Sequence, residues 1–221
     1  KKTSEIVYSS GEVRPVYSRQ EGNKYSNLIL LSNSNKGYSY NITATLSKDF
    51  GHGLDASIAY TFGESKVAND GLSSQAASNW KYNYSTDING DELYYSNFDM
   101  RHRFVGQLNY RIEYAKHFAT TIGLIYNGQS GPRYSILSYT DLNGDGERND
   151  LAYLPEKATT DKRSAMSYED FLAKNPDIAA YKGKIVPRNA LMAPFIHKFD
   201  LHFAQDFFLQ VSGKRHTLQL N

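Results

Sequence analysis

Three stretches of the chain alternate apolar and polar residues with a period of two. In the first, Tyr40, Ile42, Ala44 and Leu46 alternate with Asn41, Thr43, Thr45 and Ser47, and Leu54, Ala56, Ile58, Tyr60 and Phe62 alternate with Asp55, Ser57, Ala59 and Thr61. Side chains that alternate along a strand point to opposite faces, so each arm predicts a strand with one apolar and one wet face. Gly51-His52-Gly53 closes the stretch as a hairpin over 39–62. The pattern returns over 102–127, where Phe104, Leu108, Tyr110 and Ile112 oppose Arg103, Gln107, Asn109, Arg111 and Glu113, and Ala115-Lys116-His117 turns the chain into Phe118, Ile122, Leu124 and Tyr126. It returns again over 198–221, with Phe199, Leu201, Phe203 and Phe207 against Asp200, His202, Ala204 and Asp206 and a turn at Ser212-Gly213-Lys214. Gly106, Thr120 and Gln205 are misfits on the apolar face, and Val105 and Ile125 on the wet one.

The segments between these hairpins lack a sustained period. Residues 1–36 read as loop and strand start, with Tyr25 to Leu31 as a short strand or the protruding start of the first arm, and 63–101 and 128–197 as long loops. Ser167 to Tyr181 predicts a short helix, with Ser167 as cap, Glu169 and Asp170 at the positive end of its dipole, and Phe171, Leu172 and Ile178 as its sticky side. Short turns at one end and long connections at the other are the polarity of an outer-membrane barrel. Two aromatic rims are also predicted, one from Tyr38, Tyr40, Tyr60, Phe62 and Tyr126, the other from Phe50, Tyr114, Phe118 and Phe207. The fold expected is therefore all-β: a transmembrane antiparallel up-and-down β-barrel segment of about six strands with long extracellular loops, in the cell outer membrane. A soluble barrel or sandwich shares the alternation and differs in loop and aromatic placement.

Composition narrows this choice. No run approaches the roughly 18 apolar residues of a transmembrane helix, and mean hydropathy is −0.59. A β-barrel tolerates that value because only alternate strand residues face lipid. The 18 tyrosines suit strands and membrane interfaces. A net charge of +2 with both signs interspersed points to no nucleic-acid partner. The absence of cysteine excludes disulfides and thiolate metal sites.

One motif carries candidate metal chemistry. Asp141, Asn143 and Asp145 stand at the first, third and fifth positions of a calcium loop, with Gly146 sixth and Asn149 ninth. The twelfth position is Ala152 where a bidentate Glu belongs, so Asp150 or Glu156 would have to substitute. The candidate calcium set is Asp141, Asn143, Asp145, Glu147, Asn149 and Asp150; a plain Asx and Gly turn is the alternative. Asp87-x-Asn89-Gly90-Asp91 is a shorter echo. No other cofactor is expected. Trp80, Tyr82 and Tyr84 would either stack on a ligand or belong to a β-extension. Ser, His and Asp residues occur without a nucleophile elbow or another catalytic signature, so no enzymatic activity is expected.

Several pieces carry a family resemblance: Gly37-Tyr38-Ser39-Tyr40, Gly53 through Phe62, Asp99-Met100-Arg101-His102-Arg103-Phe104, Asp141 through Asp150, and Gly183 through Asn189 with Pro194 before the last hairpin. In this order and spacing they resemble the C-terminal part of the barrel of TonB-dependent outer-membrane transporters, in the Oar-like branch with a carboxypeptidase-regulatory-like domain. The resemblance implies a barrel of about 22 strands, an N-terminal plug, and import powered by the inner-membrane TonB complex. The plug and remaining strands would lie elsewhere in a longer parent chain. The wet residues Asn41, Thr43, Thr45, Asp49, Asp55, Ser57, Arg103, Gln107, Asn109, Arg111, Glu113, Asp200, His202 and Asp206 would then face the lumen, as a hydrated wall or in charge pairs with the plug. Outer-membrane lipid is the expected surroundings, and a surface lipoprotein or another envelope protein is a candidate partner. The alternatives are a barrel with a structural or assembly role, and a soluble β-barrel binding module.

Overall fold

The computed structural model describes residues 2–8, 10–18, 24, 28–157 and 166–221. In chain order the elements are β1 (Lys2–Val7), β2 (Val13–Tyr17), β3 (Tyr38–Gly51), β4 (Leu54–Val67), α1 (Ala76–Lys81), β5 (Tyr94–Tyr95), β6 (His102–Tyr114) and β7 (Phe118–Gln129). They continue as β8 (Arg133–Tyr134), β9 (Tyr153–Leu154), α2 (Tyr168–Lys174), α3 (Pro176–Ala179), β10 (Lys184–Ile185), β11 (Leu191–Met192), β12 (Ile196–Val211) and β13 (Lys214–Leu220). They group into two compact units. A sheet unit comprises Ser39–Glu64, Met100–Gly131 and Pro194–Asn221; a connection unit comprises Lys1–Tyr38, Ser65–Asp99 and Pro132–Ala193.

The sheet unit is an open meander in the order β13-β12-β7-β6-β4-β3, so every long strand neighbours the one before it in the hairpin plan. Register follows the alternation. Leu54, Tyr110, Ile122 and Phe203 form one cross-strand row, and Ala56, Leu108, Leu124 and Leu201 the next. On the other face Asp55, Asn109, Gly123 and His202 align, as do Ser57, Gln107, Ile125 and Asp200. A one-residue slip would exchange the faces, so the rows fix the register.

The misfits on the apolar face have local explanations. Thr120 and Gln205 are opposite one another. The Thr120 hydroxyl donates to Gln205 Oε1 at 2.7 Å and Tyr114 Oη donates to the same atom at 3.2 Å. Gln205 Nε2 donates to the carbonyls of Ala119 and Asp206. The polar groups on the apolar face thus satisfy each other, as an apolar solvent would demand. Gly106 faces Tyr126, which packs against the bare backbone there.

The hairpin turns are tight. His52 and Gly53 both have positive φ, as do Ser212 and Gly213, the pattern of two-residue turns whose twist matches a hairpin. Gly53 is constrained twice over. A Cβ there would lie 2.0 Å from the Arg111 carbonyl oxygen, and its own carbonyl accepts from the Arg111 N–H at 2.8 Å. The first turn is therefore seated against β6.

The connections are where the structure departs from expectation. Residues 1–24, read as loop, contain the antiparallel pair β1 and β2, closed by Gly11 donating to the Tyr8 carbonyl. Of Tyr25 to Leu31, residues 25–27 lie outside the described residues and 28–31 form no strand. β4 runs on past residue 62, pairing Lys66 and Val67 with β5, so the predicted loop 63–101 begins as strand. The helix expected over 167–181 is two short helices. Ser167 does cap, accepting the Asp170 N–H at 3.1 Å, but Pro176 lacks an N–H and holds Asn175 at φ −130°, ψ 70°, outside the helical region. Leu172 and Ile178 are buried with Val186 and Leu191 in the core of the connection unit. Phe171, expected beside them, is exposed.

Candidate functional site

The sheet carries two unlike surfaces. Its apolar face leaves Leu201 82% exposed and Phe199 65% exposed, with Ile42, Leu46 and Phe203 also bare. Aromatics bracket this face. At one end Tyr60 packs on Phe104 with centroids 4.6 Å apart, Tyr126 on Phe199 at 4.9 Å, and Tyr40 on Phe62 at 6.3 Å. At the other, Phe118 lies 5.7 Å from both Tyr114 and Phe207. Tyr114 stands ten positions after Phe104 on β6, about 33 Å along a strand. A strand tilt of roughly 35–45° reduces that to ~25 Å, the height of a lipid-facing band.

The opposite face holds the predicted wet residues. Thr43 Oγ1 meets Thr61 Oγ1 at 2.9 Å, which puts the odd-numbered residues of β3, Asn41, Thr45 and Asp49 among them, on the face that alternation assigns. Asn109 donates to Asp55 at 3.0 Å, and His202 packs over Gly123. Towards the short turns four charges form a chain. Arg111 pairs with Asp206 at 2.7 Å and with Glu113 at 3.5 Å, and Arg215 reaches Glu113 at 3.6 Å. Asp206 is buried, yet its Oδ1 has no partner among the described residues. Arg215 was not among the expected wet residues, although its place three before Leu218, and so on the opposite face of the alternation, would have revealed it.

The motif at Asp141 folds around its own hydrogen bonds. Asp141 accepts from the backbone N–H groups of Asn143, Gly144 and Gly146, Asn143 from that of Asp145, and Asp145 from that of Glu147. Glu147 is engaged by Lys81 at 2.9 Å, and the Asn149 amide donates to the Lys81 carbonyl. Asp150 is fully buried and committed elsewhere. Its Oδ2 accepts from the Leu142 N–H and its Oδ1 from Arg14 at 3.3 Å. Arg14, also fully buried, donates further to Glu12 and to the Leu151 carbonyl. Burial raises the carboxyls of both Asp150 and Asp145 above the ordinary range. Asp145 Oδ2 is buried with no partner. Among the described residues no three His, Cys, Asp or Glu side chains converge to hold a metal ion.

Two hollows open in the connection unit. One, of about 320 Å³, is lined by Asn69, Asp70, Asn79, Asn83 and Arg188 with Tyr82 and Tyr84; the other, of about 380 Å³, by Lys81, Glu147 and Arg148 with the same two tyrosines. Tyr82 and Tyr84 thus wall both hollows. Trp80 lies within α1 rather than a β-extension and lines neither. Arg14 and Arg188 are the residues sequence reasoning missed, because nothing periodic surrounds them and only tertiary packing gives them partners.

A family model described as outer membrane beta barrel domain matches residues 5–221. No curated protein and no solved structure gives a significant match.

Proposed function

Because this chain belongs to the outer membrane β-barrel domain family, we propose that its meander forms part of the wall of a TonB-dependent transporter, passing a substrate across the outer membrane through a plug-gated lumen. The chain resides in the outer membrane. On this reading the apolar rows face lipid, the wet rows face the lumen, and the protein performs no catalysis. The observation that carries it is the charge chain ending in Asp206. Its outer members, Arg215 and Glu113, keep more than half of their side chains exposed on the wet face, where charges on a docked plug would pair with them.

A two-position fluorescence experiment tests the membrane half. Leu201 and His202 are neighbours on opposite faces, and the chain's single tryptophan can be removed as Trp80→Phe. In vesicles of lipid brominated on the acyl chain, Leu201→Trp should be quenched strongly and His202→Trp should not; equal quenching would sink the two-faced reading. Loss of the TonB complex tests the transport half. Uptake that continues unchanged would favour the second reading, a barrel with an assembly role. That reading draws support from the connection unit, which is folded around an apolar core of its own and so offers a structured surface to a surface lipoprotein or another envelope protein.

Calcium at the Asp141 loop is a further part of the proposal, with Asp145 Oδ2 as the atom that would gain most. Binding would require Asp145 ionised and Glu147 withdrawn from Lys81. The expected Kd is therefore no tighter than about 1 mM, weakening as pH falls through the raised value of Asp145. Lys81→Ala should tighten it. Calorimetry showing micromolar affinity in the unaltered chain would contradict this.

A further inference from the structure

The sheet sorts its charges by face. At the short-turn end Asp49, Asp55, Glu113 and Asp206 all stand on the wet face, and so do Arg111 and Arg215. On the apolar face there, the described residues include cations and no acid. Lys48 lies between Leu46 and Phe50 on the even-numbered side of β3, and Lys214, opposite Val211, lies on the side of Leu218 and Leu220. Lys116 sits in the turn between β6 and β7. Each of the three short turns therefore has a lysine in it or close beside it.

A lysine near a turn is ordinarily a solvated one, and a carboxylate within reach would claim it. All three are exposed, and the acids of that end are engaged across the wet face instead. Arg111 takes Asp206 and Glu113, Arg215 also reaches Glu113, Asn109 donates to Asp55, and the Gly51 N–H donates to Asp49. The long-loop end of the apolar face differs, because Glu64 there has its own cation in Arg101 at 2.7 Å.

Lys48 adds a direction. Its backbone belongs to the apolar rows, yet its Nζ lies 5.0 Å from the centroid of the Phe50 ring, two residues nearer the turn. The aliphatic stem stays on the apolar surface while the ammonium is carried towards the end of the strand, as a lysine does when it snorkels out of hydrocarbon. What an ammonium meets at that depth of a membrane is the phosphate of a lipid head group, and clustered lysines attract anionic ones.

We propose that Lys48, Lys116 and Lys214 form a belt that selects anionic phospholipid head groups in the leaflet at the short-turn end. Each ammonium pairs with a lipid phosphate, and the apolar rows beside it cover the acyl chains. The belt rests on the reading that these rows face lipid.

The test places the full chain in phosphatidylcholine vesicles with a trace of spin-labelled phosphatidylglycerol or spin-labelled phosphatidylcholine, and electron spin resonance reads the share of each held against the protein. Phosphatidylglycerol should be favoured about fivefold at low salt, the attraction of one lysine. The preference should vanish near 1 M salt, where the screening length is about 3 Å. Combining Lys48→Gln, Lys116→Gln and Lys214→Gln should abolish it, and arginine at the same three positions should keep it. Lys198→Gln removes a cation of the wet face and should leave it unchanged. A parallel preparation with Trp80→Phe and Leu201→Trp in brominated lipid reports whether the sheet lies in lipid. Quenched Leu201→Trp with no preference for phosphatidylglycerol, or with a preference that survives the three glutamines, would overturn the belt and leave the lipid-facing reading standing. Unquenched Leu201→Trp would overturn both. A preference abolished by inorganic phosphate at constant ionic strength would overturn the lipid as the occupant, in favour of the free ion.

Discussion

Arg14→Met should open the connection unit, at a cost of about 3–5 kcal/mol, because removing one member of a buried ion pair strands the others. Arg14 and Asp150 are both fully buried, and Glu12 is nearly so. The guanidinium also ties β2 to the Leu151 carbonyl, so its loss disconnects the first hairpin from residues 150–151. Limited proteolysis of the full chain in vesicles should read this as cleavage of the connections roughly 150- to 5,000-fold faster, since cleavage follows the open population. The pH dependence has a definite sign. A carboxyl raised in the folded state contributes stability that is full below its unfolded value and lost as pH rises through the folded one. Asp150 is already raised by burial with Arg14 beside it. Without Arg14 it should rise further, so the deficit should narrow on acidification. A deficit that is constant with pH would mean Arg14 acts by packing alone.

Leu201→Arg should cost about 2–4 kcal/mol in lipid, the penalty for a cation near the middle of a barrel's outer surface. The row of Leu201, Leu124, Leu108 and Ala56 lies between the two aromatic clusters, near the centre of the apolar band. His202→Arg, one residue on and at the same depth, should cost less than ~1 kcal/mol, as a lumen substitution does. Urea unfolding of the vesicle-inserted protein checks both. Equal penalties would mean that the two faces have the same surroundings.

The sheet was legible in the sequence because its constraint is local. A period of two repeats the same instruction at every residue of 54–62 or 199–207, and the turns at His52-Gly53 and Ser212-Gly213 announce themselves by chemistry. The connection unit offers no such repetition. Its strands β8, β9, β10 and β11 are two residues each, and they pair across long separations, as Leu191 with Tyr134 and Lys184 with Leu154. Pro176 was a visible signal for the break between α2 and α3, and the regular spacing of Leu172 and Ile178 obscured it. The Asp141 motif was legible as a folded loop. That Glu147 and Asp150 would be met by Lys81 and Arg14 was not, because those partners come from distant segments.

The meander also obeys a rule of parity. Each of its hairpins reverses direction, so β3 and β13, the two outer strands of the path, run opposite ways. Bringing such edges together through intervening antiparallel strands requires an even number of them, whichever polypeptide supplies them. An odd addition would set two parallel neighbours side by side at the seam, with slanted hydrogen bonds and a mismatched register.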